Sequence, residues 1–163
     1  GGMACGILTL LGDLIKGVLP VLLYLRMTRG NIDAYFAPVL AAPVLGHIFP
    51  VFYRFKGGKG IAVSFGCLLG MLPVSQPLLT LAVIYVVLSV GICVSPHYYR
   101  TIVTYALFAA VTALYNSRFN VSVGITLGCL LISVLIIYRH LKSREAKQKF
   151  TVSFAPLQFL IRR

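Results

Sequence analysis

Long apolar runs dominate this chain, and short polar stretches separate them. The six runs are about residues 3–25, 36–53, 60–72, 77–94, 101–115 and 121–138. Each run is continuously apolar instead of alternating, which favours membrane-spanning helices over the strands of a β-barrel. The pattern predicts an all-α integral membrane protein, a polytopic helical bundle with about six transmembrane segments. The third run is short, and is either a tilted helix or a re-entrant segment.

The composition excludes an ordinary soluble domain. The 163 residues are 59% hydrophobic and 11% charged, and the mean hydropathy is +0.93. Soluble domains carry about 25% charged residues. The four cysteines lie in or beside apolar runs without a CxxC pair, so we expect neither disulfides nor a metal site, and no cofactor.

The basic residues predict the topology. The net charge is +12, but the cations lie between and after the apolar runs, so we expect contact with lipid headgroups or a phosphate ligand and not with nucleic acid. If all six runs cross the membrane, eleven Lys and Arg fall on one side and three on the other. The positive-inside rule places the eleven in the cytoplasm. We therefore divide the chain into a transmembrane bundle, 1–141, and a basic cytoplasmic or interfacial tail, 142–163.

One polar loop, "RFKGGKG" at 54–60, has the composition of an anion site. Gly57, Gly58 and Gly60 free the backbone to turn several N–H groups into one concavity, as in phosphate-binding nests. The loop leads directly into the third run, whose helix N-terminus adds its dipole. Lys59 adds a charge, and Ser64 follows one turn later. The order of residues is not that of G-x-x-x-x-G-K-S/T, and a flexible hinge with snorkelling lysines is the alternative.

Four further polar residues are candidates for the same site. Asp13 and Lys16 lie three residues apart inside an apolar run, so they share a helix face and are expected to line a polar cavity. His47 lies between Pro43 and Pro50 and is suited to binding phosphate or accepting a proton. His140 ends the last run on the same predicted surface. A structural role is the alternative for each: a neutralised pair, a hydrogen-bonded core histidine, and a basic helix cap at Arg139-His140.

Three motifs together resemble a known family. "GHIFPVFYRFKGGKG", 46–60, is similar to the second signature of the bacterial acyl-phosphate:glycerol-3-phosphate acyltransferases, G-H-x-F-P-x-F-x-x-F-K-G-G-K-G, at every specified position. "GDLIKGVLP", 12–20, resembles the D-x-x-K-G helix of that family. "YRH", 138–140, resembles the start of its third signature, R-H-x-x-N.

The resemblance implies a fold and an activity. The family has seven membrane helices and transfers a fatty acyl group from acyl phosphate to the 1-hydroxyl of glycerol 3-phosphate, giving lysophosphatidic acid and phosphate. It implies that Gly57, Gly58, Lys59 and Gly60, with Ser64, hold acyl phosphate, and that His140, Ser143 and Lys59 hold glycerol 3-phosphate. The predicted catalytic residues are Lys59, His47 and His140, and Asp13 and Lys16 line the cavity.

The sequence also departs from the family pattern. Ser143 stands where the third signature has asparagine. The first signature loop and first helix are absent before residue 1, which predicts a truncated N-terminus. The expected partners are acyl phosphate, glycerol 3-phosphate and membrane lipids, with the oligomeric state open, and the expected location is the bacterial inner membrane with the site facing the cytoplasm. A small-anion transporter is the alternative from another class, and a scaffolding membrane protein is a third.

Overall fold

Six α-helices form a bundle within the residues that the computed structural model of this chain describes. The structure describes residues 2–72, 74, 76–95, 97–119, 122–142 and 151–154. Each helix overlaps one predicted apolar run, which confirms the prediction of a helical membrane-protein bundle. In chain order the helices are α1 (Met3–Met27), α2 (Phe36–Ile48), α3 (Ile61–Leu69), α4 (Gln76–Val86), α5 (His97–Phe119) and α6 (Val123–Leu141).

The fourth run departs from its prediction. Helix α4 ends at Val86, and a π-helical turn, Val87–Gly91, leads into strand β1, Ile92–Ser95. This strand pairs antiparallel with β2, Thr151–Phe154, so that Ile92 lies opposite Phe154. The prediction of one helix over 77–94 is wrong for its last residues, because the extended backbone there bonds to a segment of the predicted tail.

The helices differ in whether they are long enough to cross a membrane. Within the described ranges, three segments combine sufficient length and hydropathy: Met3–Met27, Phe36–Tyr53 and Val123–Leu141. Helix α3 has nine residues and is therefore about 14 Å long, against about 30 Å of hydrocarbon in a bilayer. Its shortness agrees with the expectation of an incomplete span, and the number of full crossings stays a prediction.

Two parallel helix pairs build the core. In the first, α1 lies against α3, with Gly66 beside Leu14 and Gly70 beside Val18, so the contacts advance in the same direction along both helices. In the second, α2 lies against α6, where Gly128 packs on Leu40. Small residues allow such close approach, which is the usual basis of helix association in membranes.

The helix ends agree with the predicted grouping of loops. The connection between α2 and α3 meets the end of α6, because the Arg139 side chain donates to the Gly57 carbonyl. The start of α5 lies at the same end, since the rings of Tyr98 and His140 are 6.5 Å apart. At the opposite end, the Ser122 hydroxyl donates to the Ile32 carbonyl. The glycine loop and the C-terminal end of α6 therefore share one face of the bundle.

Candidate active site

A cavity of about 680 Å³ lies between α1, α2 and the glycine loop, residues 54–60. Helices α1 and α2 run in opposite directions, so Lys16 faces the loop end of α2 and Pro20 faces its middle. The cavity is consequently polar near the loop and apolar further along. Its polar lining is Lys16, His47, Tyr53, Lys56, Gly57 and Gly58, and the remaining lining is Pro20, Val39, Ala42, Pro43, Gly46 and Pro50.

An acidic residue joins two of the lining side chains. The Asp13 Oδ1 atom lies 2.5 Å from the Lys16 Nζ atom and 3.6 Å from the His47 Nδ1 atom. These positions confirm that Asp13 and Lys16 share a helix face. Lys16 and His47 line the cavity, whereas Asp13 does not. The Asp13 carboxylate lies behind them and contacts both side chains. The arrangement holds an imidazole and an ammonium group beside the glycine loop.

The backbone of the loop differs from the predicted nest. After the 3₁₀ turn Val51–Tyr53, Arg54 and Phe55 both adopt the left-handed conformation, with φ of 52° and 59°. The Gly57 N–H then donates to the Ile48 carbonyl and the Gly58 N–H to the His47 carbonyl, each at 3.2 Å. These two amides are therefore already bonded to the end of α2 and do not point together into an anion site.

An anion at this loop has other N–H groups available. Helix α3 begins at Ile61, directly after Gly60. The first N–H groups of a helix have no acceptor within the helix, and its dipole favours negative charge there. The predicted contribution of a helix N-terminus is thus compatible with the structure, whereas the contribution of the Gly57 and Gly58 amides is not.

His47 and Gly58 are in direct contact. A Cβ atom added at Gly58 would overlap the Nε2 edge of the His47 ring. Only glycine fits at this position without moving the histidine, so the second glycine of the motif has a steric role in the site. Asp13 approaches the other ring nitrogen, and the imidazole is held between the loop and α1.

Arg139 is a site residue that sequence reasoning did not assign. Its Nη2 group donates to the Gly57 carbonyl at 2.8 Å, and its Nε group donates to the Gly58 carbonyl at 3.2 Å. In the sequence it is indistinguishable from an ordinary basic residue at a helix C-terminus. The only available signal was its place beside His140 in the third motif.

Two predicted anion ligands lie elsewhere than expected. Lys59 is exposed and does not line the cavity, although Lys56 does. Ser64 is fully buried, donates to the Ile61 carbonyl at 2.7 Å and is hydrogen-bonded to the Tyr105 hydroxyl. This position conflicts with the prediction that Ser64 joins the anion site, because one helical turn past Lys59 brings it to the interior face of α3.

His140 is also placed inside the bundle. Its side chain is 2% exposed, and Nδ1 bonds to the Ile136 carbonyl at 2.9 Å. Since a carbonyl only accepts, Nδ1 carries the proton in this bond. His140 therefore neighbours the glycine loop through Arg139 and does not itself line the cavity. Ser143 lies outside the described residues.

No donor set for a metal ion comes together in the part of the chain that the structure describes. No group of three His, Cys, Asp or Glu side chains is close enough there to hold one. The cations and the imidazole around the cavity instead suit a ligand with phosphate at one end and hydrocarbon at the other.

Comparison with known proteins gives a consistent result. The family model described as "Glycerol-3-phosphate acyltransferase" matches residues 1–146. A glycerol-3-phosphate acyltransferase of Neisseria meningitidis is 36% identical over 156 residues, covering 90% of this chain and 74% of the relative. One from Shewanella loihica is 37% identical over 155 residues, covering 90% of this chain and 70% of the relative.

Solved structures show the same fold. The crystal structure of PlsY, an integral membrane glycerol 3-phosphate acyltransferase in its glycerol 3-phosphate form, aligns with a TM-score of 0.68 at 26% identity. Its lysophosphatidic acid form aligns with a TM-score of 0.66 at 27% identity. These alignments cover 86% and 85% of this chain, and the chain spans 66% of each solved protein.

Proposed function

We propose that this chain, which belongs to the glycerol-3-phosphate acyltransferase family of integral membrane enzymes, transfers a fatty acyl group from acyl phosphate to the 1-hydroxyl of glycerol 3-phosphate. The products are lysophosphatidic acid and phosphate. The predicted family and enzyme class are confirmed by the match over 146 residues. The observation that carries the finer proposal is the cavity whose polar end joins the glycine loop, His47 and Lys16.

The cavity suits the proposed donor at both ends. Lys56 lines its loop end and balances part of the charge of an acyl phosphate, beside Lys16, whose charge is paired with Asp13. The N-terminus of α3 adds its dipole. The apolar wall formed by α2 and Pro20 can cover the first carbons of the acyl chain. An enclosed acyl chain leaves its carbonyl carbon next to His47 and the glycines.

The proposed transfer needs no cofactor. The 1-hydroxyl oxygen of glycerol 3-phosphate attacks the acyl carbonyl carbon, the bond from that carbon to the phosphate oxygen breaks, and phosphate leaves with the bonding electron pair. The hydroxyl proton passes to the departing phosphate or to His47. The role proposed for Lys59, stabilising the charge that develops on the phosphate, follows from the motif, because its side chain is exposed and does not line the cavity. The site contributes by holding the two substrates in line.

The acceptor is proposed to bind at the end of α6. PlsY has been crystallised in a glycerol 3-phosphate form, and the third motif of this chain, Arg139-His140, lies beside the loop. Because His140 is buried, its contact with glycerol 3-phosphate requires local opening between α6 and Tyr98. The proposed contribution of Ser143 follows from the motif alone.

The proposed location is the bacterial inner membrane, with the cavity opening toward the cytoplasm. The glycine loop and the end of α6 share one face of the bundle, and among the described residues that face carries more Lys and Arg than the opposite one. The positive-inside rule then assigns it to the cytoplasm.

Three buried hydroxyls do not mark the path that the transporter alternative requires. An anion path through the bundle requires polar side chains that face it. The buried hydroxyls of Thr104, Thr112 and Ser133 donate instead to carbonyls four residues earlier in their own helices. Hydroxyls bonded in this way are common in membrane helices and do not mark a pathway.

An assay of the purified protein in detergent tests the enzyme assignment. With acyl phosphate and glycerol 3-phosphate, we expect lysophosphatidic acid and phosphate to form only when both substrates are present. Lys59→Ala should lower the rate about 10²-fold, the cost of losing one group that stabilises transition-state charge. Arg118→Gln, which removes an exposed cation at the opposite end of the bundle, is the matched control.

The contrary outcomes are distinct. No product from the unmodified protein would contradict the enzyme assignment, and phosphate uptake by proteoliposomes without acyl transfer would favour the transporter. Equal rates for Lys59→Ala and the unmodified protein would remove Lys59 from the mechanism alone.

A further inference from the structure

The Gly57-Gly58 unit is held from two sides. Both of its N–H groups donate to carbonyls at the end of α2. Both of its carbonyls accept from the Arg139 guanidinium on α6, at 2.8 and 3.2 Å. All four backbone polar groups of the unit are thus hydrogen-bonded, and the unit is connected to both α2 and α6, which are distant in the sequence.

These bonds are not those of a helix cap. A basic residue that caps its own helix interacts with the last carbonyls of that helix. Arg139 instead crosses to residues 81 and 82 positions earlier in the chain. Its planar fork presents Nε–H and Nη2–H in fixed directions, which matches two neighbouring oxygen acceptors.

We infer that Arg139 is a positioning residue for acyl transfer: it fixes Gly57 and Gly58, and through Gly58 the His47 ring, at the mouth of the cavity. The contact between Gly58 and His47 transmits the position of α6 to the imidazole. The same guanidinium connects the glycine loop to the end of α6, which carries the third motif. We call the two bonds from Arg139 to the Gly57 and Gly58 carbonyls the clamp. Its effect on rate rests on the proposed function, but the clamp itself is a structural feature of the loop.

Three variants separate geometry from charge. Arg139→Lys keeps the positive charge but replaces the rigid fork with a single flexible ammonium group, which cannot reproduce both bonds. Arg139→Gln removes the charge as well. Lys142→Gln is the control, because it removes a cation one turn later whose ammonium lies 5.9 Å from the Tyr138 ring centre.

The kinetic expectation is a loss in kcat. A displaced reacting group costs about 10²-fold in rate, so both Arg139 variants should lose about that factor in kcat with a smaller change in KM. Lys142→Gln should retain the kcat of the unmodified protein. If Arg139→Lys keeps full kcat, Arg139 acts through its charge, and if both Arg139 variants change only KM, it acts in substrate binding. Either result would overturn the positioning role.

Hydrogen exchange reports on the clamp without catalysis. In both Arg139 variants we expect faster exchange of peptides that cover 54–60, with unchanged exchange in α5 as the measure of intact folding. Unchanged exchange at 54–60 would overturn the clamp. If the unmodified protein makes no product but the variants still accelerate exchange at the loop, the proposed function fails while the clamp stands. Should Arg139→Gln fail to fold, the exchange and kcat of Arg139→Lys decide.

Discussion

The two faces of α1 differ in how they meet their neighbours. On one face, Gly17 lies so close to α3 that an added Cβ atom would overlap the Val63 carbonyl and approach the Cys67 nitrogen at 2.8 Å. On the other face, Lys16 and Pro20 border the cavity, and Lys16 is ion-paired with Asp13. Gly17 thus serves close packing, while Lys16, the residue before it, borders an open polar cavity.

The difference shows how a membrane bundle can carry charged groups. Close backbone contact at small residues packs α1 against α3 through dispersion. The adjoining side of the same helix is then free to hold Asp13 and Lys16, which together satisfy one another's charge beside a cavity where water can enter. Residues that stabilise the fold and residues that serve the site thus lie on different sides of α1. Substitutions on the packed side should lower stability, and substitutions on the cavity side should lower the rate of acyl transfer.

The largest effect is expected on the packed face. Gly17→Leu places a branched side chain against the backbone of α3, which cannot move aside as a side chain would. Overpacking costs about 1–3 kcal/mol where side chains adjust, and we expect at least the upper value here. The melting temperature and the yield of monodisperse protein in detergent should both fall strongly.

A second glycine on α1 is the control for that substitution. Gly12 has nothing within 4 Å of its Cβ position, so Gly12→Leu adds the same group without a clash and should retain the melting temperature. If Gly17→Leu and Gly12→Leu are equally stable, α1 and α3 are not packed as described.

A smaller and opposite effect is expected on the cavity face. Asp13→Asn removes the carboxylate that lies 3.6 Å from the His47 Nδ1 atom, while the fold loses only the partly exposed ion pair with Lys16. Such pairs contribute about 0–1 kcal/mol. The melting temperature should therefore change little, while the rate of acyl transfer should fall about 10-fold to 100-fold because His47 is no longer held.

Asp33→Asn is the matched control. Asp33 lies at the opposite end of the bundle, where Oδ1 accepts bonds from the Tyr24 hydroxyl and the Tyr35 N–H, and an asparagine oxygen can accept both. Its rate should equal that of the unmodified protein. A rate loss shared by both variants would indicate a general charge effect and would contradict a specific role for Asp13.

The sequence predicted those features that depend on local periodicity. Six apolar runs became six helices because continuous hydrophobic segments can satisfy their backbone groups in a membrane only within themselves. The shared face of Asp13 and Lys16 followed from their spacing of three. The proximity of His47 to the glycines also follows from the sequence, because Gly57 lies only ten residues after His47 and the loop between them turns back to the end of α2.

Features set by distant contacts were not predicted. The direction of Ser64 depends on how α3 is rotated toward Tyr105, and no spacing within "GKGIAVS" encodes that rotation. The role of Arg139 depends on two carbonyls 81 and 82 positions away. Likewise, strand β1 forms because Thr151–Phe154 pairs with it. Thr151–Phe154 alternates between polar and apolar residues, but Ile92–Ser95 does not, and neither pattern identifies the partner.

The smallest effect is expected on the far wall of the cavity, and it concerns specificity. Ala42 borders the apolar part of the cavity on α2, so Ala42→Leu fills space that the proposed acyl chain occupies, and both residues are good helix formers. Rates with short-chain and long-chain acyl phosphates should shift severalfold toward the shorter donor, since even one methylene in an apolar pocket changes relative rates about 10-fold. Ala113→Leu on the exposed side of α5 adds the same group away from the cavity and should leave the ratio unchanged. An equal ratio in all three proteins would place the acyl chain outside this cavity, and the apolar wall opposite Lys16 would then serve only to pack against lipid.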